Sequence, residues 1–449
     1  MTAGALHIPI VEHRLANGLR VILSEDHATP IVAVNLWYHV GSANERVGRT
    51  GFAHLFEHML FQGSANVGAN EHFELIQRAG GTCNGSTWLD RTNYYETVPA
   101  HQLELALWLE ADRMARLLPA MTQEKLDTQR DVVKNERRWS VDNQPYGTWW
   151  ERLPALCFPP EHPFHHSLIG SMDDLSAASL DDVAAFFRTF YTPDNAVLSI
   201  VGDFEATSAM AMVERHFGGI SRGAGRPELP PMALPARFGS WRRETVEDDV
   251  AAVRSFLAFR VPPAGSDAWY ALSLLGAVLG MGEAARLPRA LVREQAVASD
   301  AGAYTFDLAK GSDLLICDVT ARPGVSAEAI GAALEAEIER LRASGVSEPE
   351  RARALALAKS GWVAGLQSAG SRADKLSQYA TYFGDAQLVN EELARYEAVS
   401  CAAMHEAAQS LLGEDNRVTL TFVPRSVDQA KADGSGPGAA ATQATGGSA

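Results

Sequence analysis

Residues 191–204, YTPDNAVLSIVGDF, return in altered form as residues 412–424, LGEDNRVTLTFVP. Each follows a helix-like stretch and runs into a strand-like one. A second pair points the same way: MTQEKLDTQRDVVKNERRW, residues 121–139, is matched by VSEPERARALALAKSGWV, residues 346–363. The same order of elements on both sides of a central stretch implies duplication. The sequence therefore predicts an α+β protein of two homologous lobes, each about two hundred residues long. Between them, residues 218–239 carry Pro227, Pro230, Pro231 and Pro235, which no regular helix or central strand tolerates. That stretch is the expected linker, with one lobe over 1–217 and the other over 240–425. Residues 426–449 are mostly Gly, Ala, Ser and Thr and are expected to be disordered.

Composition narrows the function classes. Hydrophobic residues make up 46% of the 449 and charged residues 21%, as in a soluble globular protein. A net charge of −16 argues against a nucleic-acid scaffold, whose footprint is a basic face. The acidic surplus serves solubility or the attraction of basic substrates, and the first reading is the simpler. Cys83, Cys157, Cys317 and Cys401 form no CxxC pair, so they give neither a disulfide framework nor a thiolate metal site. The N-terminus shows no basic stretch followed by an apolar run, and no apolar run is long enough to span a bilayer. A cytoplasmic protein is the expectation.

In the first lobe, Leu19–Ser24 and Ile31–His39 read as strands, whereas Leu103–Leu118 and Thr122–Trp139 read as helices. The chemistry lies in GFAHLFEHMLFQ, residues 51–62, which reads as a buried helix. His54 and His58 are four apart, one above the other on a single helical face, and two imidazoles so placed converge on one cation. Glu57 borders the same face. A carboxylate there suits proton abstraction, because zinc lowers the pKa of water to about 7. The flanking Phe52, Leu55, Phe56, Met59, Leu60 and Phe61 are apolar, so the polar trio needs a compensating ligand. A third ligand should come from another helix, where Glu136 stands 78 positions beyond His58. Taken alone, Glu136 reads first as a solvated helix carboxylate paired with Arg137 or Lys134. The matching stretch of the second lobe, AWYALSLLGAVLG over 268–280, has neither His nor Glu, which assigns the chemistry to the first lobe. The histidine-rich HPFHH, residues 162–166, is broken by Pro163 and reads as a loop.

The order H-x-x-E-H is the known signature of the inverzincins. The chain resembles that family, which includes pitrilysin, insulin-degrading enzyme and the mitochondrial processing peptidase (M16). Matching stretches are HLFEHMLFQGS, GGTCNGSTWLDRTNYYETVP, LWLEADRM and RDVVKNERRWSVDNQPYG, in family order. The resemblance implies a zinc metalloendopeptidase with His54, His58 and Glu136 as ligands and Glu57 as general base. It also implies that Gln129 replaces a second glutamate found in many members, removing a negative charge behind the ligands. GGTCNGST, residues 80–87, would be the edge strand to which a peptide adds, with Asn84 and Gly85 in contact with substrate. Arg372 and Tyr379, seven apart in SRADKLSQY, would hold substrate carbonyls from the second lobe. Long single-chain relatives have four lobes. Two lobes are half a clamshell, so a closed chamber implies a homodimer or a heterodimer with a related zinc-free subunit. The rival reading is a non-catalytic structural or peptide-binding subunit related to processing-peptidase core proteins.

Overall fold

The computed structural model describes residues 7–46, 48–225, 228 and 231–425; the expected disorder of 426–449 lies outside them. Strands β1 (Val11–Arg14), β2 (Arg20–Glu25), β3 (Ile31–Tyr38), β4 (Thr82–Thr87), β5 (Thr92–Pro99) and β6 (Ala196–Gly202) form one sheet, ordered β1-β2-β6-β3-β5-β4. Strands β7 (Arg242–Asp248), β8 (Arg254–Val261), β9 (Ala298–Thr305), β10 (Asp313–Ala321) and β11 (Val418–Pro424) form the other, ordered β7-β11-β8-β10-β9. In each sheet one pair is parallel, β2 with β6 and β7 with β11, and the other pairings are antiparallel. Without β1 the two sheets share one topology, so the fold is α+β with a repeated lobe.

The repeated strings become the equivalent central strands β6 and β11. Their shared asparagines do the same work. Asn195 Nδ2 donates to the carbonyls of Phe190 (2.9 Å), which ends a helix, and His39 (3.3 Å), which follows β3. Asn416 Nδ2 donates to Leu411 (2.7 Å) and to Arg260 on β8 (2.8 Å). Both side chains are buried, so each amide removes two carbonyls that would otherwise be costly orphans.

Alternation along β3 explains why the first sheet is covered twice. Val32, Val34, Leu36 and Tyr38 face one core, together with Phe52, Leu55, Phe56 and Met59 of the motif helix. Ala33 and Trp37 face another core, whose other side is the helix Ala369–Tyr382 through Ala369, Ala373, Leu376 and Ala380. That helix belongs to the second half of the sequence. The reciprocal contact is made by Trp149–Cys157, a first-half helix packed on β8 and β11. Its Leu153 and Cys157 share a core with Phe256, Ala258, Leu420 and Phe422. Each half thus lends a helix to the back of the other's sheet. Fully burying one such leucine, Leu376, contributes about 1.5–3 kcal/mol.

No described residue of the 218–239 stretch lies in a helix or strand. Met232 and Phe238 are buried against the second sheet, and the Pro235 carbonyl accepts from Arg260 Nη1 at 3.1 Å. The HPFHH segment is a loop, in which His162 stacks on Phe158 and His165 hydrogen-bonds the Phe158 carbonyl.

Candidate metal centre and active site

The motif helix is Phe52–Met59. It starts at Gly51, whose φ of +82° and approach to the Ile169 carbonyl leave no room for a Cβ: one would lie 2.5 Å from that oxygen. Glu45 closes the helix N-terminus, accepting from Gly51 N at 2.9 Å and Ala53 N at 2.8 Å. The apolar residues of the helix face the core, which leaves His54, Glu57 and His58 on the opposite face.

The second helix of the site, Gln123–Arg137, is capped by Thr122, whose side chain accepts from Lys125 N. It buries Leu126, Gln129 and Val133 and brings Glu136 to the histidines. His54 Nε2 lies 3.7 Å from Glu136 Oε1, and His58 Nε2 lies 3.3 Å from Glu136 Oε2. Glu136 does not take up the pairing with Arg137 that a solvated helix carboxylate would have. Arg137 turns away to pair with Glu151 and donates to the Gly170 carbonyl at 2.8 Å. Gln129, buried on this helix, lies close to His58.

The donor set fits zinc. Two imidazole nitrogens and a carboxylate oxygen lie within 4.8 Å of one another. Ligand atoms on a tetrahedral zinc with bonds of about 2.0–2.1 Å stand about 3.3 Å apart. Burial, with His58 behind it, lowers His54 to about 4, which keeps its imidazole neutral and free to coordinate. Burial also opposes charge on His58, but the hydrogen bond and charge of Glu136 outweigh it and raise the pKa. The same bond from His58 holds Glu136 below the usual carboxylate range.

Glu57 points between this trio and β4. Burial pushes its carboxyl above the usual range, while a 2.6 Å hydrogen bond from Thr87 Oγ1 to Oε2 pulls it down. Gly85 is packed against it: a Cβ there would lie 3.1 Å from Glu57 Cγ and 3.2 Å from Oε1. β4 is a sheet edge, so the outer side of its backbone is open to a further strand. Alternation sends the Asn84 side chain to the other face, opposite Tyr95 of β5, and its Oδ1 accepts from Gly85 N at 2.9 Å. Beside the trio, a cavity of about 410 Å³ is lined by His54, Glu136, Val141, Trp149, Trp150 and Arg254, among others.

Arg372 and Tyr379 require a correction. Both lie on Ala369–Tyr382, behind the first sheet and on the opposite face from the motif helix. Tyr379 is 6% exposed, its ring packed on Trp362 and Phe383. Arg372 pairs with Asp26 of the first half. These side chains seat the exchanged helix and do not meet the metal trio of their own chain. Sequence reasoning missed Thr87, although alternation from Gly85 identifies it as sharing the face that meets Glu57.

Comparison with known proteins agrees with this architecture. The profile of the family described as "Insulinase (Peptidase family M16)" matches residues 20–155, and that of the "Peptidase M16 inactive domain" matches 177–358. The chain belongs to the M16 peptidase family. It is 29% identical to the zinc protease PqqE of Helicobacter pylori, over 81% of this chain and 82% of that one. The crystal structure of a protease from Helicobacter pylori superposes with a TM-score of 0.87 at 26% identity, covering 93% of this chain and all of that one. The fold also recurs in the periplasmic protease PqqL from Escherichia coli (TM-score 0.74, 20% identity), where the match covers 94% of this chain but 48% of that one.

Proposed function

We propose that this chain is a zinc-dependent endopeptidase acting on peptides or unfolded segments, with His54, His58 and Glu136 as ligands and Glu57 as general base. The observation that carries this reading is the convergence of the three ligand atoms beside Glu57, which itself lies against an open strand edge. When bound, zinc supplies Lewis acidity that polarises a peptide carbonyl and makes water acidic enough to deprotonate near neutral pH. The protein's groups do the rest. β4 aligns the peptide as an added strand through its backbone, including that of Asn84 and Gly85. Glu57, oriented by Thr87, takes a proton from water and returns it to the leaving nitrogen. The Trp149 and Trp150 cavity accepts a side chain next to the scissile bond.

We propose further that the working chamber contains two chains, this one twice or paired with a related zinc-free subunit. Supporting this, Trp139 is 72% exposed and Val132 42%, seven positions apart and flanking Glu136 on an uncovered surface. The match to half of a longer chain supports it too.

The test is cleavage of a quenched, unstructured peptide by the pure protein, before chelation, after it and after zinc is restored. Glu57→Gln should lower kcat by about 10²–10⁴ while zinc and peptide binding persist. Unchanged turnover in that variant would overturn the assignment of the base.

A further inference from the structure

Behind β4, on the face away from the metal trio, polar side chains from both halves of the chain form one connected network. Asp374, on the exchanged helix, accepts at Oδ1 from Trp37 Nε1 (2.9 Å), Asn93 Nδ2 (3.1 Å) and Asn35 Nδ2 (3.4 Å). Asn93 is buried and passes the contact on: its Oδ1 accepts from Ser86 Oγ (2.7 Å) and Arg91 Nη1 (2.9 Å). Arg91 also donates to the Ser86 carbonyl at 2.9 Å. Ser86 is the residue between Gly85, which touches Glu57, and Thr87, which hydrogen-bonds it. A second tie joins the same helix to the β4–β5 turn, where the Tyr382 hydroxyl donates to Asp90.

We propose that Asp374 is a positioning residue for the first lobe's reaction. Through Asn93 and Ser86 it fixes the register and tilt of β4, and hence the orientation of Glu57. This rests on the peptidase reading given above. The physical reason lies in the sheet. β4 has a strand neighbour on one side only, and its hydrogen bonds to β5 resist sliding better than they resist rotation about the strand axis. A side-chain clamp at Ser86 blocks that rotation at the position where it would swing Thr87 away from the base. A carboxylate suits the inner end of the clamp, since one oxygen there takes three N–H donors and none of them is left unpaired. The second half thereby acts on Glu57 from behind the sheet, through β4.

The test compares Asp374→Ala, Asp374→Asn and Ser377→Ala in the full-length, zinc-loaded protein. Ser377 sits on the same helix and bonds Ser199 at 2.7 Å, so its loss weakens the same seat without touching Asn93. Asp374→Ala should lose about tenfold or more in kcat with KM changed by less than about threefold, because a misaligned base is felt mainly in the transition state. Asp374→Asn, whose amide oxygen still accepts, should recover to within about threefold of the unaltered protein. Ser377→Ala should cost stability and leave kcat unchanged. Ser86→Ala cuts the network at its far end and should reproduce the kcat loss even if Asp374→Ala does not fold. Hydrogen exchange of the 82–87 amides supplies a readout independent of turnover and should quicken in Asp374→Ala and Ser86→Ala but not in Ser377→Ala. A folded Asp374→Ala with kcat within about twofold of the original, or with unaltered exchange at 82–87, would overturn the proposal. If the unaltered protein cleaves no peptide, the peptidase reading fails, and the exchange comparison still decides whether Asp374 holds β4.

Discussion

Replacing Thr87 by valine tests the orientation of Glu57, the proposed base, with little other change at the site. Valine has the shape and strand propensity of threonine, and Thr87 is buried within β4, so the sheet should keep its packing. What disappears is the 2.6 Å hydrogen bond from Thr87 Oγ1 to Glu57 Oε2. A hydrogen bond to a charged group contributes about 1.5–3 kcal/mol, and this one fixes the direction of the carboxylate proposed to receive the proton. If that interaction is retained in the transition state, its loss lowers kcat/KM by about 10–150-fold. The assay is cleavage of a quenched peptide at several substrate concentrations, with zinc content measured on the same samples. The Thr87 hydroxyl hydrogen-bonds Glu57 and Thr92 but none of His54, His58 and Glu136, so metal occupancy should be unchanged, and Thr87→Ser should restore most of the rate. A valine variant with kcat/KM within about twofold of the original would refute the orienting role. So would a variant that loses its zinc, because the defect would then lie in the ligands.

Two further predictions concern stability. Gly51→Ala should lower Tm and weaken zinc retention, since a Cβ would sit 2.5 Å from the Ile169 carbonyl at a φ of +82°, a strain of about 1–3 kcal/mol; an unchanged Tm would show that the approach is not tight. For pH, the hydrogen bond from Arg286 to Glu350 lowers that carboxyl from 4.5 to about 2. In that interval the unfolded chain binds a proton that the folded one refuses, so the stabilisation is complete above about 4.5 and fades as pH falls toward 2. Thermal unfolding between pH 5 and pH 2.5 should therefore show a shallower acid decline in Glu350→Gln, and parallel curves would refute the assignment.

Much of the site is legible in the sequence because it is local. His54, Glu57 and His58 share one helical turn, and helical geometry alone places them together. Glu136 needs the family resemblance to be chosen over other helix carboxylates, and the fold supplies the physical reason: Arg137 is engaged by Glu151. The repeat is legible as well, because the asparagines of the two DN turns answer the same backbone need in both lobes. The position of Arg372 and Tyr379 is not. Seven-residue spacing says that two side chains share a helix face, but not which surface covers that face. Here the cover is the back of the other half's sheet, a long-range choice that no local pattern records. The Trp149 and Trp150 cavity is hidden for the same reason, since Arg254 enters it from the second half.

The reciprocal loan of helices also bears on ancestry and on how the chain comes apart. Run backward through the duplication, it describes two identical single-lobe chains, each inserting one helix behind its twin's sheet, a swapped dimer later joined end to end. Within one chain such an exchange acts as a lock between the halves. Neither half can now be freed intact: a chain severed between the lobes would expose Ile22, Trp37, Val197 and Val201 on one fragment and Phe256, Leu420 and Phe422 on the other. Any movement of one half against the other that keeps these cores intact must leave both inserted helices in place.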